Sequence, residues 1–228
     1  MTSFKTLAEQ LEEIELLIRY GVPEPQRDKA RELARKYEND QVALRVLHNF
    51  YSFLPSDQEE ALLQLDLIRA RQGLFLLRAV SESGSYLYLV SSEEAALVGD
   101  LAEGIEEAEI LNFFGWGDNE ALLAALRKEN FPVYEGVGLD GEHCPACLVA
   151  PGEFHIMGCP VEICPWCGGQ LVHCNCRFTR LQKEALDRDS DLDELHRQLS
   201  ARGRIPFEPG NQAPSYFSLT DQLRKERQ

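Results

Sequence analysis

Eight residues between positions 144 and 176 fall into four close pairs: Cys144-x2-Cys147, His155-x3-Cys159, Cys164-x2-Cys167 and Cys174-x-Cys176. Thiolates and imidazoles are ligands for a divalent ion of borderline softness, and zinc takes four of them at tetrahedral corners. A Cys-x2-Cys turn brings both thiolates to one side, where one ion can hold them. The arithmetic closes: seven cysteines and His155 make eight ligands, and two closed sites need eight. The expectation is two structural zinc ions, one with four cysteines and one with three cysteines and a histidine. No coordination position is then left open for catalysis. All seven cysteines of the chain lie in this stretch. In a protein expected to stay in the cytoplasm, such clustering points to metal ligation rather than a disulfide framework.

Spacing leaves several points open. Sequential pairing joins the first two pairs on one ion and the last two on the other. Cross-brace pairing joins the first with the third and the second with the fourth. His143 or His173 can compete with His155 for the single imidazole position. Cys174 and Cys176 can instead be a redox pair beside a single zinc, and four of the cysteines can hold an iron–sulfur cluster.

Cys144-Pro145-Ala146-Cys147 and Cys164-Pro165-Trp166-Cys167-Gly168-Gly169 carry turn residues, and sixteen residues separate Cys147 from Cys164. Through these motifs the stretch 141–177 resembles zinc-ribbon and treble-clef-type modules. The resemblance implies zinc and a small β-hairpin fold, and such modules serve many functions. Trp166, at the tip of the second turn, is either exposed for a partner or packed beneath the ribbon.

Ahead of this module lies an expected α+β domain, residues 1–140, helical over 1–72 and mixed over 73–140 with a small β-hairpin region. Phe4, Leu7, Leu11, Ile14 and Ile18 recur at helical spacing and predict a helix over 3–20, stopped by Gly21 and Pro23. Further helices are expected at 26–38 and 41–54. Ser56 with Glu59 forms a capping-box pattern that predicts a fourth helix to about Arg71. Leu74–Val80 and Tyr86–Val90 read as a strand pair around the turn 81–85. Ser91 with Glu94 predicts a helix to about Ala102, Ala108–Phe114 reads as a strand, and Asp118 caps a helix to about Lys128. Phe131–Tyr134 reads as a short edge strand, and residues 135–141 as a linker into the zinc module. Residues 178–228 are expected to be a helical segment ending at Gly203, an extended Pro-rich arm over 203–218, and a short polar helix or frayed tail.

Net charge is −15 over 228 residues. Residues 1–140 carry 13 basic and 26 acidic side chains, or −13. No Lys or Arg stands between Arg78 and Arg127, whereas ten acidic residues run from Glu82 to Glu120. Such a surface repels phosphate backbones, and it is either a face for a basic partner or a solvated surface. No apolar run reaches 18 residues, so no membrane contact is expected.

Other chemistry is thin. His48 lies within an apolar helix and reads as a satisfied core or boundary residue, and His196 as solvent-facing. The adjacent pairs Glu12-Glu13, Glu59-Glu60 and Glu106-Glu107 diverge on a helix and make poor acid–base partners. Asn112–Asp118, with Phe113, Phe114 and Trp116, reads as a core-packing loop or a pocket rim. No phosphate loop, dinucleotide fingerprint or nucleophile elbow is present. Three functions compete. The first is an interaction or regulatory protein whose acidic domain binds a protein partner, and it leads. The second is a nucleic-acid-binding regulator using the zinc module and Arg177, Arg180, Lys183, Arg188, Arg197, Arg202 and Arg204. The third is a thiol redox switch or enzyme using Cys174 and Cys176.

Overall fold

The computed structural model describes residues 6–55, 59–128, 130–137 and 142–213. The chain divides between Asp140 and Gly141 into two compact units.

The first unit opens with three helices: α1 (Leu7–Gly21), α2 (Arg27–Lys36) and α3 (Gln41–Phe53). Thr6 starts α1 through a reciprocal cap, accepting from the Glu9 N–H at 3.2 Å while its own N–H donates to the Glu9 carboxylate at 2.7 Å. The expected stripe is present, with Ile14 and Ile18 fully buried; Phe4 lies outside the described residues. Asp40 caps α3, accepting from Ala43 N–H at 2.7 Å. Seven apolar side chains of α3, from Val42 to Tyr51, are buried.

The anticipated fourth helix is instead the first strand of a sheet. β1 (Leu62–Arg71), β2 (Leu74–Ser81), β3 (Ser85–Val90), β4 (Ala95–Asp100) and β5 (Gly104–Ile105) form an antiparallel meander in chain order. The region is therefore a five-stranded sheet rather than a small hairpin. The turn Gln72-Gly73 decides this, because both residues have positive φ, 49° and 74°, and Arg71 pairs with Leu74. A two-residue turn of that hand matches strand twist, so it drives a hairpin. The capping residue Ser56 lies outside the described residues.

The helix expected from Ser91 is likewise replaced by β4. Ser91 accepts from both Glu93 and Glu94 N–H at 3.1 Å, and its own N–H bonds the Glu94 carbonyl at 2.9 Å. The same Ser-x-x-Glu spacing that starts helices here closes a turn between strands. Gly99 is required in β4, since an added Cβ would sit 1.8 Å from the Gly104 carbonyl oxygen. Conversely, the expected strand at Ala108–Phe114 is helix α4, ended by Gly115 at φ 85°. Its short apolar run has no period that separates strand from helix. Helix α5 (Asn119–Lys128) follows. Residues 131–134 lie along β1 as an irregular edge: Leu67 N–H donates to Pro132 and Tyr134 N–H to Leu65, with one bridge between Asp66 and Val133.

Strand alternation sends Leu76 and Leu87 to one face, where they are buried with Leu111, Phe114, Trp116, Leu122 and Leu126 of the α4–α5 region. The opposite face meets α3, with the Phe50 and Tyr86 rings 5.9 Å apart. The aromatic loop at 112–118 is thus core-packing: Phe114 and Trp116 are buried, and Arg69 lies 4.4 Å over the Trp116 ring while donating to the Phe114 carbonyl.

In the second unit the helices are α6 (Cys176–Leu181) and α7 (Asp189–Arg202). The described part of the expected arm, 203–213, is irregular. The remainder of the arm and the short helix expected near the C-terminus lie outside the described residues, as do linker residues 138–141. Among the described residues no helix is long and apolar enough to cross a membrane.

Candidate metal centres

Two turns of the same construction begin the two centres. In the first, Leu148 N–H donates to the Cys144 carbonyl at 2.9 Å and Cys144 N–H to the Val149 carbonyl at 3.0 Å. In the second, Gly168 N–H donates to the Cys164 carbonyl at 2.9 Å and Cys164 N–H to the Gly169 carbonyl at 2.7 Å. The residue after the second cysteine is left-handed in both, Leu148 at φ 60° and Gly168 at φ 75°. Glycine meets that demand without strain in the second turn, whereas Leu148 meets it as a buried apolar residue.

The fold brings the eight residues into two groups. Cys144, Cys147, His155 and Cys159 form one, and Cys164, Cys167, Cys174 and Cys176 the other, with the ligand atoms of each within 4.8 Å of one another. This is the sequential arrangement; the cross-brace combination is not formed. His143 and His173 stand outside both groups. All seven cysteines are free of disulfides.

The distances suit a tetrahedral ion. Two thiolates about 2.3 Å from one zinc lie about 3.8 Å apart. Cys144 Sγ and Cys159 Sγ are separated by 3.8 Å, and Cys147 Sγ lies 3.3 Å from His155 Nδ1. On its other side His155 Nε2 lies 2.8 Å from Gln212 Oε1.

Electrostatics point the same way. Hydrogen bonds from Cys147 and Cys159 hold the Cys144 thiol far below its ordinary value, while Cys144 and then Cys147 push Cys159 far up. Burial alone would lower His155, but Cys144, Cys147 and Gln212 raise it to about 10. In the second group the Gly169 N–H and then Cys176 lower Cys167, and Cys176 itself is pushed up to about 12, mainly by Cys167. Crowded thiols cannot all ionise side by side. A divalent cation removes that conflict by binding every thiolate at once.

Burial separates the centres. All four residues of the first are buried, packed with Val149, Val161 and Phe207. In the second only Cys164 is buried and Cys167 is exposed, although Leu171, Leu195 and Leu199 pack against the group. Trp166 is half-buried in this cluster, with the Arg180 guanidinium 5.7 Å over its ring.

Residues outside the cysteine stretch also build the first centre. Phe207 N–H donates to the Glu153 carbonyl at 2.8 Å and Gly152 N–H to the Phe207 carbonyl at 2.9 Å. Arg204 donates to the His155 carbonyl at 2.6 Å and to Glu162 at 2.8 Å. Their role was not readable in the sequence, since no local pattern links positions about fifty residues apart. His48 is partly exposed and 3.3 Å from Glu13, and His196 is exposed, in line with their expected bland roles.

No family model, curated protein or solved structure matches the chain.

Proposed function

We propose that this is a zinc-binding interaction protein of regulatory type, with two closed structural zinc centres and an acidic first unit that binds a basic protein partner. The observation that carries the metal reading is the division of eight ligands into two complete sets of four. Sulfur-rich tetrahedral sets suit zinc, and closed ones are structural rather than catalytic. Cys174 and Cys176 are used up in the second set, which argues against a separate redox pair.

Charge supports a protein partner. Of the ten acidic residues between Glu82 and Glu120, nine are exposed, and no basic residue interrupts them in sequence. Nucleic acid fits less well, because four of the seven basic residues that would serve it already meet carboxylates. Lys183 and Arg188 meet Asp191, Arg197 meets Glu194 and Arg204 meets Glu162.

Native mass spectrometry of the purified full chain tests the first half: two zinc ions per chain support it, and one or none overturns it. Affinity capture at low and high salt tests the second half. A partner of basic composition, released by salt and lost when Glu106, Glu107 and Glu109 become Gln, supports it. Salt-dependent retention on DNA or RNA instead overturns it.

A further inference from the structure

We infer that Gln212 is the positioning residue that fixes His155 in the tautomer that offers Nδ1 to the first metal centre, an inference resting on the zinc reading above. The hydrogen-bond directions are set by an acceptor that has no hydrogen to give. Gln212 Nε2 donates to the Pro206 carbonyl at 2.8 Å. The amide therefore turns Oε1 toward His155 Nε2, 2.8 Å away. An amide oxygen only accepts, so Nε2 carries the hydrogen. Nδ1, on the Cys147 side at 3.3 Å, is then the nitrogen that gives up its proton and turns a lone pair to a metal among the thiols.

The placement is built rather than incidental. Gln212 is 7% exposed and His155 2% exposed, so neither exchanges this bond freely for water. The Phe207 ring meets the imidazole edge-on at 5.3 Å, which restricts its rotation. Arg204 holds the His155 carbonyl and is itself anchored to buried Glu162. Residues 204–212 thus carry three separate contacts to a ligand fifty-seven positions before Gln212. Histidines bound to metals are oriented in this way by a partner on the second nitrogen, and losing that partner weakens the metal ~10–100-fold. The second centre has no histidine and no such dependence.

The test uses the full chain loaded with zinc, with Gln212→Leu and Gln212→Glu variants. Metal affinity of each centre is measured by competition with a chromophoric chelator, and the His155 nitrogens are read by long-range proton–nitrogen NMR. Wild type should show hydrogen on Nε2 and metal on Nδ1. Gln212→Leu should weaken one ion ~10–100-fold and leave the other unchanged. Gln212→Glu should stay at the wild-type level, because its carboxylate still accepts from Nε2–H although it no longer donates to Pro206. Metal on Nε2 in the wild type overturns the inference whether or not the variants fold. So does a Gln212→Glu variant as weak as Gln212→Leu, which would make Gln212 only a clamp on residue 206. A wild-type chain that holds zinc solely through Cys164, Cys167, Cys174 and Cys176 overturns the reading of the first centre itself, and is recognised by an unbound His155.

Discussion

Cys144 Sγ and Cys159 Sγ stand 3.8 Å apart although fifteen positions separate them in sequence. That is too long for a disulfide and about the edge of a zinc–thiolate tetrahedron. Hydrogen bonding with Cys147 and between the two thiols drives them apart in acidity, Cys144 far down and Cys159 far up.

Single ligand changes should therefore act on one centre at a time. Cys144→Ser is expected to remove one zinc and Cys164→Ser the other, each dropping the ion count from two to one. Structural zinc contributes on the order of 10 kcal/mol to folding of small modules. Loss of one ion should accordingly unfold much of the second unit, while the far-UV signal of the helices at 7–53 persists. Native mass spectrometry with circular dichroism reads both. Unchanged metal content in either variant refutes the ligand assignment.

The centres should also differ in lability. Cys167 is exposed and Cys174 and Cys176 are half-buried, whereas every ligand of the first centre is buried. A chelator reaches an ion through exposed ligands first. Zinc release followed with a colorimetric chelator should therefore be biphasic, one ion leaving faster. Alkylation with mass mapping should mark Cys167 in the fast phase and Cys144 only in the slow one. Simultaneous release of both ions contradicts this.

The candidate ligands are legible in the sequence because they fall into close pairs, and each Cys-x2-Cys turn is a local object, complete within six residues. Phe207, Arg204 and Gln212 are not, since they meet the site only through tertiary folding. The same distinction runs through the first unit. Helix α1 is announced by the stripe of Leu7, Leu11, Ile14 and Ile18 and by its stop at Gly21 and Pro23. By contrast, the Ser91-x-x-Glu94 pattern suits a helix cap and a turn equally, and only pairing of β4 with β3 decides between them. The Ser56–Glu59 cap pattern predicts a helix to about Arg71, and the Gln72-Gly73 hairpin turn that overturns it lacks the familiar Asn-Gly signature. Its positive φ angles do the same work.

Zinc affinity at the first centre should rise with pH. Burial lowers His155, but hydrogen bonds with Cys144, Cys147 and Gln212 raise it to about 10, so at pH 7 it carries a proton that zinc must displace. Binding thus releases protons, and the apparent affinity increases from pH 6 to pH 8. The contribution of His155 to the stability of the metal-free form, taken by itself, has the opposite slope, whereas the depressed Cys144 contributes in the other direction. A raised folded-state value gives stability that is complete below the unfolded value near 6.5 and lost as pH rises through about 10. Calorimetric titration with zinc in two buffers of different ionisation enthalpy measures the released protons directly. Equal apparent heats in both buffers contradict the expectation.

In the first unit, Asp66 is completely buried and bonded to Arg78, at 2.6 Å to Nη2 and 2.8 Å to Nε, with Gln64 donating at 2.6 Å to its other oxygen. The pair joins β1 to β2 at the register Asp66–Arg78, and the guanidinium lies 5.7 Å over the Phe131 ring. Burying two charges is costly, and their attraction roughly offsets that cost when both are present. Arg78→Ala leaves a buried carboxylate without its cation and should destabilise the unit by about 3–5 kcal/mol. Asp66→Leu combined with Arg78→Leu removes both charges and should cost far less than Arg78→Ala alone. Urea denaturation of the full chain, followed by Trp116 fluorescence in a Trp166→Phe background, measures both variants. If the double variant were the less stable one, the pair would be contributing net stability, and the balance argued for this sheet would be wrong.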